Sequence, residues 1–124
     1  MTFGLTTKTS LPEHLVTGQA AEALAAAYLQ SQKLKLVAKN FRCEYGEIDL
    51  IMQDGNSLVF IEVRLRSNAS FGGAAMSVTR SKQEKIKRTA QRYMQLHGES
   101  ACRFDVILMH AIDINAVEWL KNAF

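Results

Sequence analysis

Apolar and polar positions along the chain change period several times, and each change marks an element. From Gln19 to Gln32 the sequence is rich in Ala and Leu and has no β-branched residue, which predicts a helix. That helix starts between 10 and 18. Ser10-Leu11-Pro12-Glu13 reads as a capping box with Pro in the first turn, and Thr17 is a rival cap. Leu34 to Tyr45 is mixed and leans towards β. Two strands are expected next, Glu47–Gln53 and Leu58–Arg66, around the hairpin turn Asp54-Gly55-Asn56-Ser57. Residues 67–79, small and polar with Gly72-Gly73, read as a mobile loop. Ser81-Lys82-Gln83-Glu84 is a second capping box, opening a helix that ends near His97 at Gly98. Cys102–His110 alternates as a strand, and Val117–Leu120 adds a short edge strand. Residues 1–9 lack periodicity and read as a loose terminus. The order is helix, three strands, helix, then one or two strands, which predicts one α/β domain over residues 1–124 with a mixed sheet.

Composition narrows the class. The balance of 48% hydrophobic and 22% charged residues is that of a globular domain, and 7 Gly with 1 Pro excludes a collagen-like chain. The longest apolar stretch, Ala20–Leu29, is interrupted by Glu22 and is too short to span a bilayer. The N-terminus lacks the pattern of a signal peptide, so a cytoplasmic protein with no membrane partner is expected. Cys43 and Cys102 have no metal-ligand spacing with His14, His97 or His110 and are expected to be free, buried and idle. A net charge of +3 permits nucleic-acid binding without arguing for it.

Three carboxylates sit where carboxylates are unfavourable. Glu22 shares a helical stripe with Leu15, Gly18, Ala25, Ala26 and Leu29, so it points inward unless that stripe ends at the sheet's edge. With Gly55-Asn56 as a two-residue loop, cross-strand partners have numbers summing to 111. Asp49 then faces Glu62, and Glu47 faces Arg64. Period two puts Glu47, Asp49 and Ile51 on one face, opposite Leu58, Phe60, Glu62 and Arg64. Two facing acids repel. Either a hard divalent cation lies between them, or Arg64 neutralises them in a metal-free cluster.

These residues carry a resemblance. Gly46-Glu47-Ile48-Asp49-Leu50-Ile51, then Val59-Phe60-Ile61-Glu62-Val63-Arg64-Leu65-Arg66, resembles the YraN family. Gly18-Gln19-Ala20-Ala21-Glu22 with Ala25 and Tyr28-Leu29, Asn40-Phe41-Arg42, the helix Lys82–Ala90, Arg103-Phe104-Asp105-Val106 and Asn122-Ala123-Phe124 also fit it. The match runs from about Gly18 to the end. The resemblance implies a restriction-endonuclease-like fold with an α-β-β-β-α-β core, nearest the archaeal Holliday-junction resolvases, and a weak homodimer. It implies Glu22, Asp49 and Glu62 as ligands of Mg²⁺ or Mn²⁺, with the position of Arg64 completing the catalytic set. In such sites the cation acidifies a water molecule and neutralises charge developing on the phosphate. Arg64 departs from the superfamily's lysine. A guanidinium stays protonated, so its role there is fixed charge and paired donors to phosphate oxygens.

Basic residues concentrate in one segment: Arg80, Lys82, Lys85, Lys87, Arg88 and Arg92 against Glu84 alone. With a helix N-terminus and the preceding Phe71-Gly72-Gly73 loop, this segment reads as a contact for phosphate backbone without sequence readout. Arg80, Lys82 and Lys85 are its candidate nucleic-acid contacts, and Arg66, alternating onto the face of Arg64, is a further one that would help hold the scissile strand. Arg103 and Asp105 read as a structural ion pair or as support behind the site residues, and Trp119 and Phe124 as late core anchors. The expected function is metal-dependent phosphodiester hydrolysis on DNA, with structured, branched or single-stranded DNA as its target. The alternatives are a nucleic-acid-binding module of the same fold without turnover, and a structural interaction domain.

Overall fold

The central apolar runs are too continuous for half-exposed strands, which is what a sheet covered on both faces requires. The structure is a computed structural model that describes residues 13–66 and 78–124. Helix α1 (Glu13–Ser31) precedes strands β1 (Lys35–Cys43), β2 (Gly46–Asp54) and β3 (Ser57–Leu65). Helix α2 (Arg80–His97) then leads to β4 (Ala101–Met109), a short 3₁₀ turn and β5 (Val117–Leu120). The sheet order is β1-β2-β3-β4-β5, antiparallel except for the parallel pair β3/β4, which α2 connects. The mixed α-β-β-β-α-β order expected from the sequence is therefore the observed one. The loose terminus, the Ser10 cap and the Phe71-Gly72-Gly73 loop lie outside the described residues. Helix α1 runs straight through Thr17, so Thr17 is not its cap.

One helix packs on each face. Ala21, Ala25, Ala26 and Leu29 of α1 lie against Leu50, Met52, Val59, Ile61, Ile107 and Met109. Small alanines let this helix approach the sheet closely. Ile86, Ala90, Tyr93 and Met94 of α2 cover Ile48, Ile51, Leu58, Phe60, Val106 and Leu108 on the other face. The cap of α2 is Thr79 rather than Ser81, its side chain accepting from Lys82 N at 3.2 Å. The buried Val78 just before it sets where the chain enters the helix, and Gln83 turns back to donate to the Val78 carbonyl. Both cysteines are free, but neither is buried: Cys43 is half-buried and Cys102 exposed, because each sits towards the end of its strand. None of the described helices is long and apolar enough to cross a membrane.

The C-terminal segment is held by one buried carboxylate. Asp105 is fully buried and accepts from Arg103 Nε, Trp119 Nε1 and the Asn122 backbone amide, at 2.9–3.1 Å. Arg103 reaches on to Asp54 at 2.9 Å, tying β4 to the β2–β3 turn. The expected Arg103–Asp105 pair is thus structural, and Trp119 serves both as a core anchor, edge-on to Tyr28, and as a donor. Phe124 anchors the other face, stacked on Phe104. Removing one member of a buried pair strands the other charge, so Asp105→Ala should cost about 3–5 kcal/mol. Trp119→Phe, which deletes a single donor, should cost about 1–3 kcal/mol. Urea unfolding measures both, and an Asp105→Ala loss below that of Trp119→Phe would contradict this account.

Candidate active site where two ladders lapse

The hairpin turn sets the register as expected, with Gly55 at φ 61 in the left-handed region where a glycine is least strained. Pairs run from Asp54↔Ser57 to Leu50↔Ile61, each summing to 111, and pairing stops there. Asp49 and Glu62 are therefore not a paired position. The β1–β2 ladder lapses at the same place, pairing Lys39↔Leu50 and Phe41↔Ile48 but not the residues between them. Those residues are Asn40, in the left-handed region at φ 51, and Asp49. The expected alternation breaks here as well. Ile48 and Ile51, three residues apart, both pack towards α2. Asp49 Oδ2 accepts from the Val63 amide at 2.8 Å, in place of the carbonyl that a continued ladder would supply.

This lapse gathers the predicted carboxylates around Asp49. Burial raises the Asp49 carboxyl first, then the negative charge of Glu62, with smaller contributions from Glu22 and Glu47. The Val63 hydrogen bond works the other way, and the net result is a group pushed up to about 7. The other acids have partners. Glu62, buried, meets Arg64 at 3.2 Å and Lys82 Nζ at 3.5 Å. Glu22 comes from the α1 side, only half-buried, and accepts from the Asn40 side-chain amide at 3.0 Å. Glu47 pairs with Arg42 across β1 at 3.2 Å, not with Arg64, because the β2–β3 ladder does not extend that far. Arg64 Nε is buried with no hydrogen-bond partner among the described residues.

Glu22, Asp49, Glu62, Arg64 and Lys82 thus belong to one neighbourhood. Lys85 lies further along α2, exposed, and Arg80 and Arg66 are exposed at the start of α2 and just past β3. Sequence reasoning missed Asn40 as the partner of Glu22 and Lys82 as a cation on Glu62. The Asn40-Phe41-Arg42 match was a signal for the first. Nothing local signalled the second, because it depends on how α2 docks. The donor chemistry suits a hard divalent cation: crowded carboxylates, one of them holding a proton near neutrality that a cation could displace. Among the described residues, however, no three His, Cys, Asp or Glu side chains are close enough to hold a metal ion as they stand. Glu22 and Glu62 approach Asp49 from the α1 and α2 sides and are engaged by Asn40 and by Arg64 with Lys82.

Fold and notch together define a class: a mixed-sheet α/β protein with acids gathered where its second and third strands part. The chain belongs to family UPF0102, whose model, described as an uncharacterised protein family, matches residues 21–109. It is 50% identical over 107 residues to a UPF0102 protein of Methylobacillus flagellatus, covering 86% of this chain and 95% of that one. A UPF0102 protein of Nitrosomonas europaea is 52% identical over 108 residues, covering 86% and 92%. One from Shewanella loihica is 49% identical over 113 residues, covering 90% and 96%. The YraN family membership read from the sequence is borne out.

The raised Asp49 pKa has a signed consequence for stability. The unfolded carboxyl titrates near 3.9 and the folded one near 7, so the folded state binds more protons between those values. Stability therefore falls as pH rises from about 4 to about 7 and is level above. Asp49→Asn keeps the acceptor for Val63 and removes the charge. In EDTA its advantage over the natural protein should grow across that window and reach on the order of 1–3 kcal/mol at pH 8, several degrees in Tm. Melting curves at pH 4.5, 6 and 8 test this, and a pH-independent difference would show that Asp49 is not the titrating group.

Proposed function

We propose that this protein is a divalent-metal-dependent phosphodiesterase acting on DNA. The observation that carries this reading is Asp49, a carboxylate beside Glu62 with no cationic partner among the described residues, set where the ladder lapses and next to Arg64 and Lys82. Asp49 and Glu62 would hold Mg²⁺ or Mn²⁺, with Glu22 joining them on release from Asn40. When bound, the cation would supply Lewis acidity towards water and phosphate. The chain's own groups do the rest. Arg64 offers fixed positive charge and an unspent Nε donor to phosphate oxygens, worth most in a partly buried notch. Lys82 adds a point charge at the same carboxylate, near the position that the missing third-strand lysine would occupy electrostatically. Arg80 and Lys85 extend the positive surface along α2 for backbone contact. A specific observation favours a second reading, a nucleic-acid-binding module of this fold without turnover: Glu62 already has two cations. A weak homodimer follows only from the resemblance to junction resolvases.

Incubation of duplex, single-stranded, flap and four-way-junction DNA with Mg²⁺ or Mn²⁺ tests the activity, and cleavage that persists in Asp49→Asn would place it elsewhere. Calorimetric titration with Mn²⁺ should show binding that tightens roughly tenfold per pH unit up to about 7, one proton being displaced, and that Asp49→Asn abolishes. Metal binding without cleavage of any substrate would favour the second reading.

DNA binding itself should be electrostatic. Lys82→Glu with Lys85→Glu should weaken every sequence tested about equally and flatten the plot of log affinity against log salt by about one unit per lost phosphate contact. Unchanged affinity would reduce the helix to a solvated face.

A further inference from the structure

We infer that the groove between α2 and the β1–β2 turn carries an unpaired DNA strand, with a base stacked on Tyr45 and a neighbouring phosphate on Arg88. This rests on the DNA-directed reading above and names the part of the substrate that the protein would recognise. The groove is a cavity of about 200 Å³ lined by Tyr45, Arg88, Gln91, Arg92 and Gln95. It is smaller than the ~300–1,000 Å³ of sites that enclose a drug-sized ligand, so it suits one unit of a longer chain.

Its residues are arranged for that unit. Tyr45 is an aromatic ring left 40% exposed at the tip of the turn, outside both core clusters of the described residues. Arg92 holds it in place, with its guanidinium 5.8 Å from the ring centroid and an ion pair to Glu44, the adjacent residue of the turn. Arg92 Nε is also buried without a partner among the described residues. Arg88, Gln91 and Gln95 make no side-chain hydrogen bond or ion pair among the described residues, which leaves a cation and two amides uncommitted around the ring. Gly46 begins β2 directly beneath, where an added Cβ would lie 3.5 Å from Thr89 Oγ1, so turn and helix are closely packed.

The groove is also in line with the candidate active site. Lys85, Arg88 and Arg92 fall on one flank of α2, and Lys82, at its N-terminal end, touches Glu62. Lys82 to Arg92 spans about 15 Å at 1.5 Å per residue, room for about four nucleotides at the 3.4 Å stacked spacing. A strand whose phosphate sat at the notch would reach Tyr45 along this cationic flank. Stacking on a protein ring requires a base whose face is free, and bases within a duplex are already stacked on one another. The groove therefore selects for unpaired nucleotides.

Fluorescence anisotropy in EDTA, with the full chain, a labelled 12-nucleotide oligo-dT and a duplex of the same length, tests the inference. Tyr45→Ala should weaken the single strand about 5- to 150-fold, the loss of one stacked base, and change duplex affinity less than about twofold. Tyr45→Phe should restore single-strand binding, and Arg88→Glu, an exposed change that leaves the core intact, should weaken it. Single-strand affinity unchanged in both Tyr45→Ala and Arg88→Glu overturns the groove. So does an equal loss on both DNAs. In either case the DNA reading survives provided that Lys82→Glu still weakens binding. A natural protein that binds neither DNA overturns both readings.

Discussion

A side-chain carboxylate standing where a backbone carbonyl would otherwise be is the constraint on which this structure turns. Asp49 satisfies the Val63 amide at the step where β2 and β3 cease to pair. An amide at that depth cannot be left unpaired without cost, so the strands can separate only if something else accepts from it. Asp49 makes the separation tolerable, and the separation makes room for acids that a flat ladder would have set against each other. The cost appears in Asp49 itself, whose charge is disfavoured by burial and by Glu62. The rest of the fold supports this local violation of charge pairing.

The scaffold around that point is braced by a second buried carboxylate. Asp105 gathers donors from Arg103, Trp119 and Asn122, and Arg103 passes the connection to Asp54 at the far end of β2. For Arg103, burial opposes the charge, but hydrogen bonds to Asp54 and Asp105 and their charges outweigh it and hold the guanidinium protonated. Two carboxylates in one sheet thus have opposite surroundings. Among the described residues Asp105 is surrounded by donors and is structural, whereas Asp49 meets one amide and three acidic neighbours.

Much of this was legible in the chain because it depends on local chemistry. Gly55-Asn56 dictates the 111 register, the alanine stripe marks the buried face of α1, and Ile86, Ala90, Tyr93 and Met94 mark that of α2. The neighbourhood of Glu22, Asp49 and Glu62 was also foreseeable, since residues that resist burial were set at inward or facing positions. What period-two reasoning could not supply was the lapse itself. It depends on Asn40 adopting a left-handed conformation, which asparagine permits but does not require, and on a hydrogen bond spanning two strands. The same limit explains the misplaced details. Thr79 caps α2 in place of Ser81 because Val78 is anchored in the core, and Lys82 meets Glu62 only because α2 docks as it does. Cys43 and Cys102 fit a core by residue type, yet their places near strand ends leave them half-buried and exposed.

Asn40 has a second effect, on the outside of the molecule. β1 is an edge strand, and an open edge is a template on which other chains can add and aggregate. This edge is spoiled twice within a few residues, by the register shift between Leu36 and Ala38 and by the left-handed turn at Asn40. The exposed Lys35 and Lys39 add charge alongside. A neighbouring strand would find no regular run of amides and carbonyls to match, so the backbone irregularity that accompanies the acidic notch also makes this edge a poor template for sheet-to-sheet addition.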